Sequence, residues 1–129
     1  MSLPPLLSEW AASRGIELRP RDHDGRIAFN VDDAYRVYLY PAPDNRLLIE
    51  SRVCDLPTEA DARRQLVMEA LEAATGRIRG SAARLAVDAE ESVLVLQAEA
   101  RTDDGLEPFT SALGGFINSL ADWRLRLAS

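Results

Sequence analysis

The chain has 129 residues, a mass of 14.2 kDa, 47% hydrophobic and 28% charged residues, which suits one folded domain and argues against disorder. A formal net charge of −6 and a pI near 4.8 argue against nucleic acid and anionic membrane surfaces as partners, because a net acidic domain repels both. One cysteine, Cys54, excludes an intramolecular disulfide and points to a reducing compartment.

The basic residues are all arginine, scattered singly apart from Arg63-Arg64, and alanine is abundant. This composition is read as the codon bias of a GC-rich bacterial genome, since an arginine-built anion site would need clustering. The N-terminus, MSLPPLLSEW, has no basic region ahead of a long apolar run, so it does not read as a signal peptide. No stretch approaches the roughly 20 apolar residues that span a bilayer. The expected location is the bacterial cytoplasm.

In chain order, Ser2 is placed to cap a first helix, with Pro4 and Pro5 tolerated in its first turn. Leu3, Leu6, Leu7, Trp10 and Ala11 follow at helical spacing, and Gly15 suits the stop. Ile16 and Leu18 then alternate with Glu17 and Arg19 as a strand that Pro20 ends. Asp22-His23-Asp24-Gly25 reads as a turn. Ile27, Phe29 and Val31 alternate with polar or small residues, Asp32-Asp33 turns the chain, and Tyr35, Val37 and Leu39 alternate again. Pro41 to Asn45 is a break. Arg46 to Cys54 is a further strand, with Leu48 expected inward and Leu47 and Ile49 as further candidates. Connections this short imply antiparallel pairing.

Thr58, with Asp61 three residues on, resembles a capping box for the second helix, and Glu59 and Asp61 suit its positive end. Leu66, Val67, Ala70, Leu71 and Ala74 form its apolar stripe, widened by Ala62, Met68 and Ala73, and Gly76 or Gly80 ends it. Leu85 and Val87 belong to a next strand, Ala89-Glu90-Glu91 to a turn, and Ser92 to Arg101 to a last strand. Val93-Leu94-Val95-Leu96 is apolar on both faces, the mark of a strand covered on both sides. One cover is expected from a helix of the same chain and the other from a partner subunit. Phe109, Leu113, Phe116, Leu120, Trp123 and Leu127 recur at steps of four and three, the strongest periodic signal present. Gly114-Gly115 interrupts this helix; a kink or a close approach to the sheet would explain it. The expectation is a single α+β domain over residues 1–129: a twisted antiparallel sheet with three helices, in the order α-β-β-β-α-β-β-α.

Catalytic chemistry is missing at sequence level. His23 is the only histidine and no nucleophile is tied to it by spacing. Asp22-His23-Asp24-Gly25 lacks the glycine and glutamate positions of a calcium loop. Cys54 has neither a redox nor a zinc spacing and reads as a small core residue. Gly76-x-x-x-Gly80 is not followed by the Lys-Ser/Thr of a phosphate loop. No catalytic residue, metal or cofactor is expected, and the chain reads as a non-enzyme. What remains is a surplus of apolar residues at Leu3, Leu6, Leu7, Trp10, one side of Val93 to Leu96, and the Tyr38/Tyr40 face, which points to an interface.

The pattern as a whole resembles the class I secretion chaperones of bacterial type III systems, the Tir chaperone family. The resemblance lies in the first helix around Leu6 to Trp10, the strands at Ile27-Phe29-Val31 and Tyr35-Val37-Leu39, the Arg46 to Pro57 run into the helix at Thr58, and the Phe109 to Trp123 helix. The chain departs from it at Ala73-Ala74-Thr75-Gly76, where a leucine-rich helix end would be expected. The resemblance implies a homodimeric chaperone without nucleotide that binds the N-terminal segment of a secreted effector and keeps it competent for secretion. It implies effector contacts at Leu3, Leu6, Leu7, Trp10, Ile27, Phe29, Val37 and Leu39. It implies a dimer interface at Val67, Met68, Leu71, Val93, Leu94, Val95 and Leu96. The alternative is a non-secretion adaptor domain on a similar scaffold.

Overall fold

The structure, a computed structural model, describes residues 5–16, 19–20, 26–31, 34–75 and 83–127. Its elements are α1 (Pro5–Arg14), β1 (Arg19–Pro20), β2 (Ile27–Val31), β3 (Tyr35–Ala42), β4 (Arg46–Asp55), α2 (Ala60–Thr75), β5 (Arg84–Asp88), β6 (Val93–Arg101) and α3 (Leu106–Leu127). The expected order stands, and the strand expected to end at Pro20 is present as the two-residue β1 at the sheet edge. The strands form one antiparallel sheet in the order β1-β2-β3-β4-β6-β5. The expected cap at Ser2, Pro4 in the first turn, the effector contact at Leu3, the strand position Leu18, the turns at Asp22 to Gly25 and Asp32-Asp33, and the helix stop at Gly76 or Gly80 lie outside the described residues.

α1 ends as its sequence dictates. Gly15 takes a φ of 65°, and the Ile16 amide donates to the Ala11 carbonyl at 2.9 Å. That six-to-one bond over a left-handed glycine is a Schellman ending, and the apolar residue just beyond it, Ile16, packs against the core. Ile16 therefore closes the helix rather than opening the next strand, whose described part is β1 at Arg19–Pro20.

The middle strands pair in the register set by their apolar positions: Phe29 opposite Val37, Ile27 opposite Leu39, and Leu39 opposite Ile49. This register corrects the β4 expectation. Leu47 and Ile49 are fully buried, and Leu48 is 40% exposed on the other face, beside Tyr40. Strand side chains alternate, so only one phase of the Leu47-Leu48-Ile49 run can face the core. β4 carries a bulge between Arg52 and Cys54, beyond which its pairing with β6 continues at Cys54–Leu94 and Asp55–Val93.

The cap of α2 also differs from expectation. The Glu59 carboxylate, rather than a Thr58/Asp61 pair, accepts the amides of Asp61 (3.0 Å) and Ala62 (2.8 Å). These bonds hold the Glu59 carboxyl below its usual range. In the β5–β6 turn, Asp88 accepts the amides of Glu90 and Glu91 at 3.1 and 3.2 Å.

One core runs beneath all three helices. α3 supplies Phe109, Leu113, Phe116, Leu120, Trp123 and Leu127, all buried as the four-three spacing predicts. α1 adds Leu6, Leu7, Trp10 and Ala11; α2 adds Ala70. From the sheet come alternate residues of β2, β3, β4 and β6. Burial of each large side chain is worth roughly 1.5–3 kcal/mol. Ser51, the buried polar residue of this core, donates to the Arg36 carbonyl at 2.6 Å. Arg124 fastens the end of α3 to the sheet: it donates to the Arg52 carbonyl at the bulge (2.8 and 3.2 Å) and to the Ala34 carbonyl (2.9 Å), with its guanidinium 5.1 Å from the Tyr35 ring centroid.

α3 is continuous through Gly114 and Gly115. Both are exposed, and a Cβ on either would meet nothing within 4 Å. A close approach to the sheet is therefore not their reason. Each still costs about 1 kcal/mol relative to alanine in a helix interior. Among the described residues, no helix is long and apolar enough to cross a membrane.

Candidate binding site

The described residues hold no catalytic constellation and no group of three or more His, Cys, Asp or Glu side chains placed to hold a metal ion. Cys54 is half-buried, and burial, with Asp55 next to it, pushes its thiol up and away from the reactive thiolate form. His23 lies outside the described residues.

The tyrosine face of the sheet, expected as spare apolar surface, is a polar layer. The Tyr40 hydroxyl donates to Glu50 Oε2 and accepts from Arg26, both at 3.2 Å; Gln97 donates to Glu50 Oε1 at 2.9 Å. The Arg26 guanidinium sits 4.5 Å from the Tyr38 ring centroid. Burial raises the Tyr40 hydroxyl above its ordinary value, with Glu50 acting in the same direction.

Two surfaces remain for partners. The first is a groove of about 560 Å³ between the C-terminal turn of α1, the end of β2 and the outer side of α3. Trp10 forms its inner end. The indole is held edge-on by Phe29 (centroids 5.1 Å apart, 64° between planes) and Phe109 (5.7 Å, 87°). Ile16, positioned by the Schellman ending, and Val31 of β2 add apolar walls. α3 contributes Thr110, Leu113, Gly114, Ile117 and Asn118, which share one side of the helix by their three- and four-residue spacing. Among the described lining residues Arg14 is the one that is charged, and Gly15 and Asn30, which takes a long hydrogen bond from Arg36 (3.5 Å), also belong to the lining.

The second surface is the outer side of α2. Its stripe is only partly used: Ala70 is buried, Leu66, Val67 and Ala73 are half-buried, and Met68 and Leu71 are 53% and 58% exposed. On the edge strand β5, Val87 is 45% exposed.

Set against the expected contacts, Leu6, Leu7, Ile27, Phe29, Val37 and Leu39 are buried in the core, and Trp10 is the one that also lines the groove. Of the expected dimer residues, Val67, Met68 and Leu71 lie on the α2 surface. Val93 to Leu96 are all at most 3% exposed within the chain. Leu94 and Leu96 join the core; Val93 and Val95 are left out of it and alternate to the other face, where Val95 lies between Arg52 and Ala86 in the register. Sequence reasoning missed Arg14, Ile16, Val31 and the outer side of α3 as groove walls. The signal available was the second spacing on α3, Thr110, Gly114, Ile117 and Asn118, whose mixed chemistry carries no hydrophobic period.

Three helices on one antiparallel sheet, with a groove between α1 and α3 and a partly exposed side of α2, make this an α+β domain. More narrowly, its residues 5–124 match the model of the Tir chaperone protein (CesT) family, and the chain belongs to that family. Similar solved structures share the fold. A chain of the ExsC–ExsE complex is 23% identical over 98% of this chain and 97% of its own length, with a TM-score of 0.69. The Yersinia pestis type III secretion chaperone SycH, in complex with a stable fragment of YscM2, gives 20% identity, 93% and 98% coverage and a TM-score of 0.61. YbjN of E. coli, described as a putative transcription regulator, gives 15% identity, 93% and 87% coverage and a TM-score of 0.66. No curated protein matches the chain.

Proposed function

We propose that this protein is a cytoplasmic, non-enzymatic chaperone of a bacterial type III secretion system. It holds the N-terminal segment of a secreted effector in the groove between α1 and α3 and pairs with a second copy through the outer side of α2. Membership of the Tir chaperone family supports the class. The observation that carries the site is the groove itself, where Trp10, Ile16, Val31, Leu113 and Ile117 offer apolar walls beside the β2 strand. An extended segment laid there would gain apolar burial along those walls. SycH with its YscM2 fragment shows a protein of this fold holding part of another chain.

The test is a pull-down from the native host. The wild-type protein is expected to capture a protein encoded beside a secretion apparatus, through that protein's N-terminal segment. Ile117→Glu, which places a charge in the groove wall outside the buried stripe, is expected to abolish capture while the protein remains folded by circular dichroism. Undiminished capture by Ile117→Glu would move the site elsewhere. Light scattering that shows a strict monomer at micromolar concentration would refute the dimer. The adaptor alternative takes its support from the YbjN likeness, which is one of fold alone; the family match favours the secretion class.

A further inference from the structure

We propose that Gly114 is a specificity-determining position of the groove: a notch in the α3 wall that admits one bulky apolar side chain of the bound segment, with Arg14 at the mouth receiving a carboxylate that follows it. The proposal rests on the effector-groove reading and adds to it the kind of segment selected.

Glycine at this position answers no need of the chain itself. The residue is helical, without the positive φ that Gly15 and Gly105 require, and a Cβ there would meet nothing within 4 Å. What it does alter is the groove. Thr110 and Asn118 stand one turn before and one turn after it on the same side of α3, and all three line the cavity. A side chain at 114 would stand between theirs, so the glycine leaves that part of the wall without one, between two polar residues. Gly115 is outside the lining, and nothing in the structure explains it.

The electrostatics select the neighbour of that side chain. The chain carries 21 acidic residues and a net charge of −6, yet none of the described residues lining the groove is acidic, and Arg14 is the single charge among them. Among its described residues the groove thus presents one guanidinium and no carboxylate. A segment with an aromatic or long aliphatic residue and an acidic residue shortly after it complements both features.

The probe is a fluorescein-labelled extended peptide of about twelve residues, serine-rich, with a central Phe and an Asp two positions later. Two counterparts replace the Phe by Ala or the Asp by Asn. Anisotropy gives the affinity, and the Trp10 indole resonance in proton–nitrogen spectra reports the place. The Phe peptide is expected to bind wild type and shift the Trp10 resonance. Gly114→Leu is expected to weaken that binding by about tenfold or more, through loss of the buried ring, to leave the weaker Ala peptide unaffected, and to raise the melting temperature through better helix propensity. Arg14→Gln is expected to weaken the Asp peptide about three- to fivefold and the Asn peptide not at all. Gly114→Leu that weakens both the Phe and Ala peptides equally, or neither, overturns the notch. A lowered melting temperature overturns it too, because the glycine would then serve the fold. Failure of wild type to bind the Phe peptide, or binding without movement of the Trp10 resonance, likewise overturns it. The effector-groove reading is judged separately, by the host pull-down with Ile117→Glu.

Discussion

Trp10 links the stability of α1 to the shape of the groove, so its removal separates two ways the molecule can fail. The indole is 4% exposed and meets Phe29 of β2 and Phe109 of α3 edge-on. Truncating a buried tryptophan to alanine costs about 3–5 kcal/mol, including the cavity it leaves, and the two ring contacts argue against the low end. An entropy of unfolding of about 2.1 cal/mol/K per residue gives roughly 0.27 kcal/mol per degree for this chain. A cost of about 4 kcal/mol then lowers the melting temperature by about 15 °C. A smaller loss limits that value: α1 can detach as a unit, and the penalty cannot exceed the free energy that docks it. The assay is a thermal melt of Trp10→Ala by far-ultraviolet circular dichroism, paired with amide hydrogen exchange. If α1 detaches first, the amides of Leu7 to Arg14 exchange quickly while those of β4 and β6 stay protected. Trp10→Phe should lose about half as much. A shift below about 3 °C with unchanged α1 protection would refute the claim that this indole latches the helix.

Other consequences follow from named contacts. Arg124→Met removes the donors to the Arg52 and Ala34 carbonyls; because these bonds are exposed, the expected cost is about 1 kcal/mol, or about 4 °C in a melt. Met68→Glu combined with Leu71→Glu should give a folded monomer by light scattering, since both side chains are more than half exposed in the single chain. Leu96→Asp should not fold, because the side chain is fully buried in the core and an unpaired charge there is very costly. Glu59 has a folded pKa held below its unfolded value by the Asp61 and Ala62 amides. Its contribution is therefore present above the unfolded pKa and lost as pH falls through the folded one. Glu59→Ala should lower the neutral-pH melting temperature and remove that part of the acid limb in a pH series of melts.

The elements that were legible share one property: a single period with a single phase. α3 repeats at four and three, and all six stripe residues are buried. β2 and β3 alternate, and Phe29, Val37 and Leu39 face inward together. Where consecutive apolar residues leave the phase open, the sequence does not choose. Leu47-Leu48-Ile49 is such a run, and pairing with β3 decided it against Leu48. On α2 the stripe was too wide for one contact, so Ala70 took the core side and left Leu71 outside. The groove was not legible because its walls come from residues 10–16, 30–31 and 110–118, which share no period and meet only when α1 docks on α3.

The separation of periods on α3 bears on how such a protein changes its client. The buried stripe and the groove wall occupy neighbouring sides of one helix, meeting at Leu113, which belongs to both, and at Ile117, which lines the groove and packs against the core. Thr110, Gly114 and Asn118 can therefore vary without opening a cavity in the core, while Phe109, Phe116 and Leu120 cannot. Substitutions distant from one another and without shared partners add independently, so a wall change alters recognition at little cost to folding. Leu113 is the exception. Leu113→Ala should disturb both properties at once, because the same side chain that is 3% exposed under the helix also forms the floor that a bound segment would touch. A folded Leu113→Ala protein with a clear stability loss and unaltered capture would show that the bound segment does not reach the floor between α1 and α3.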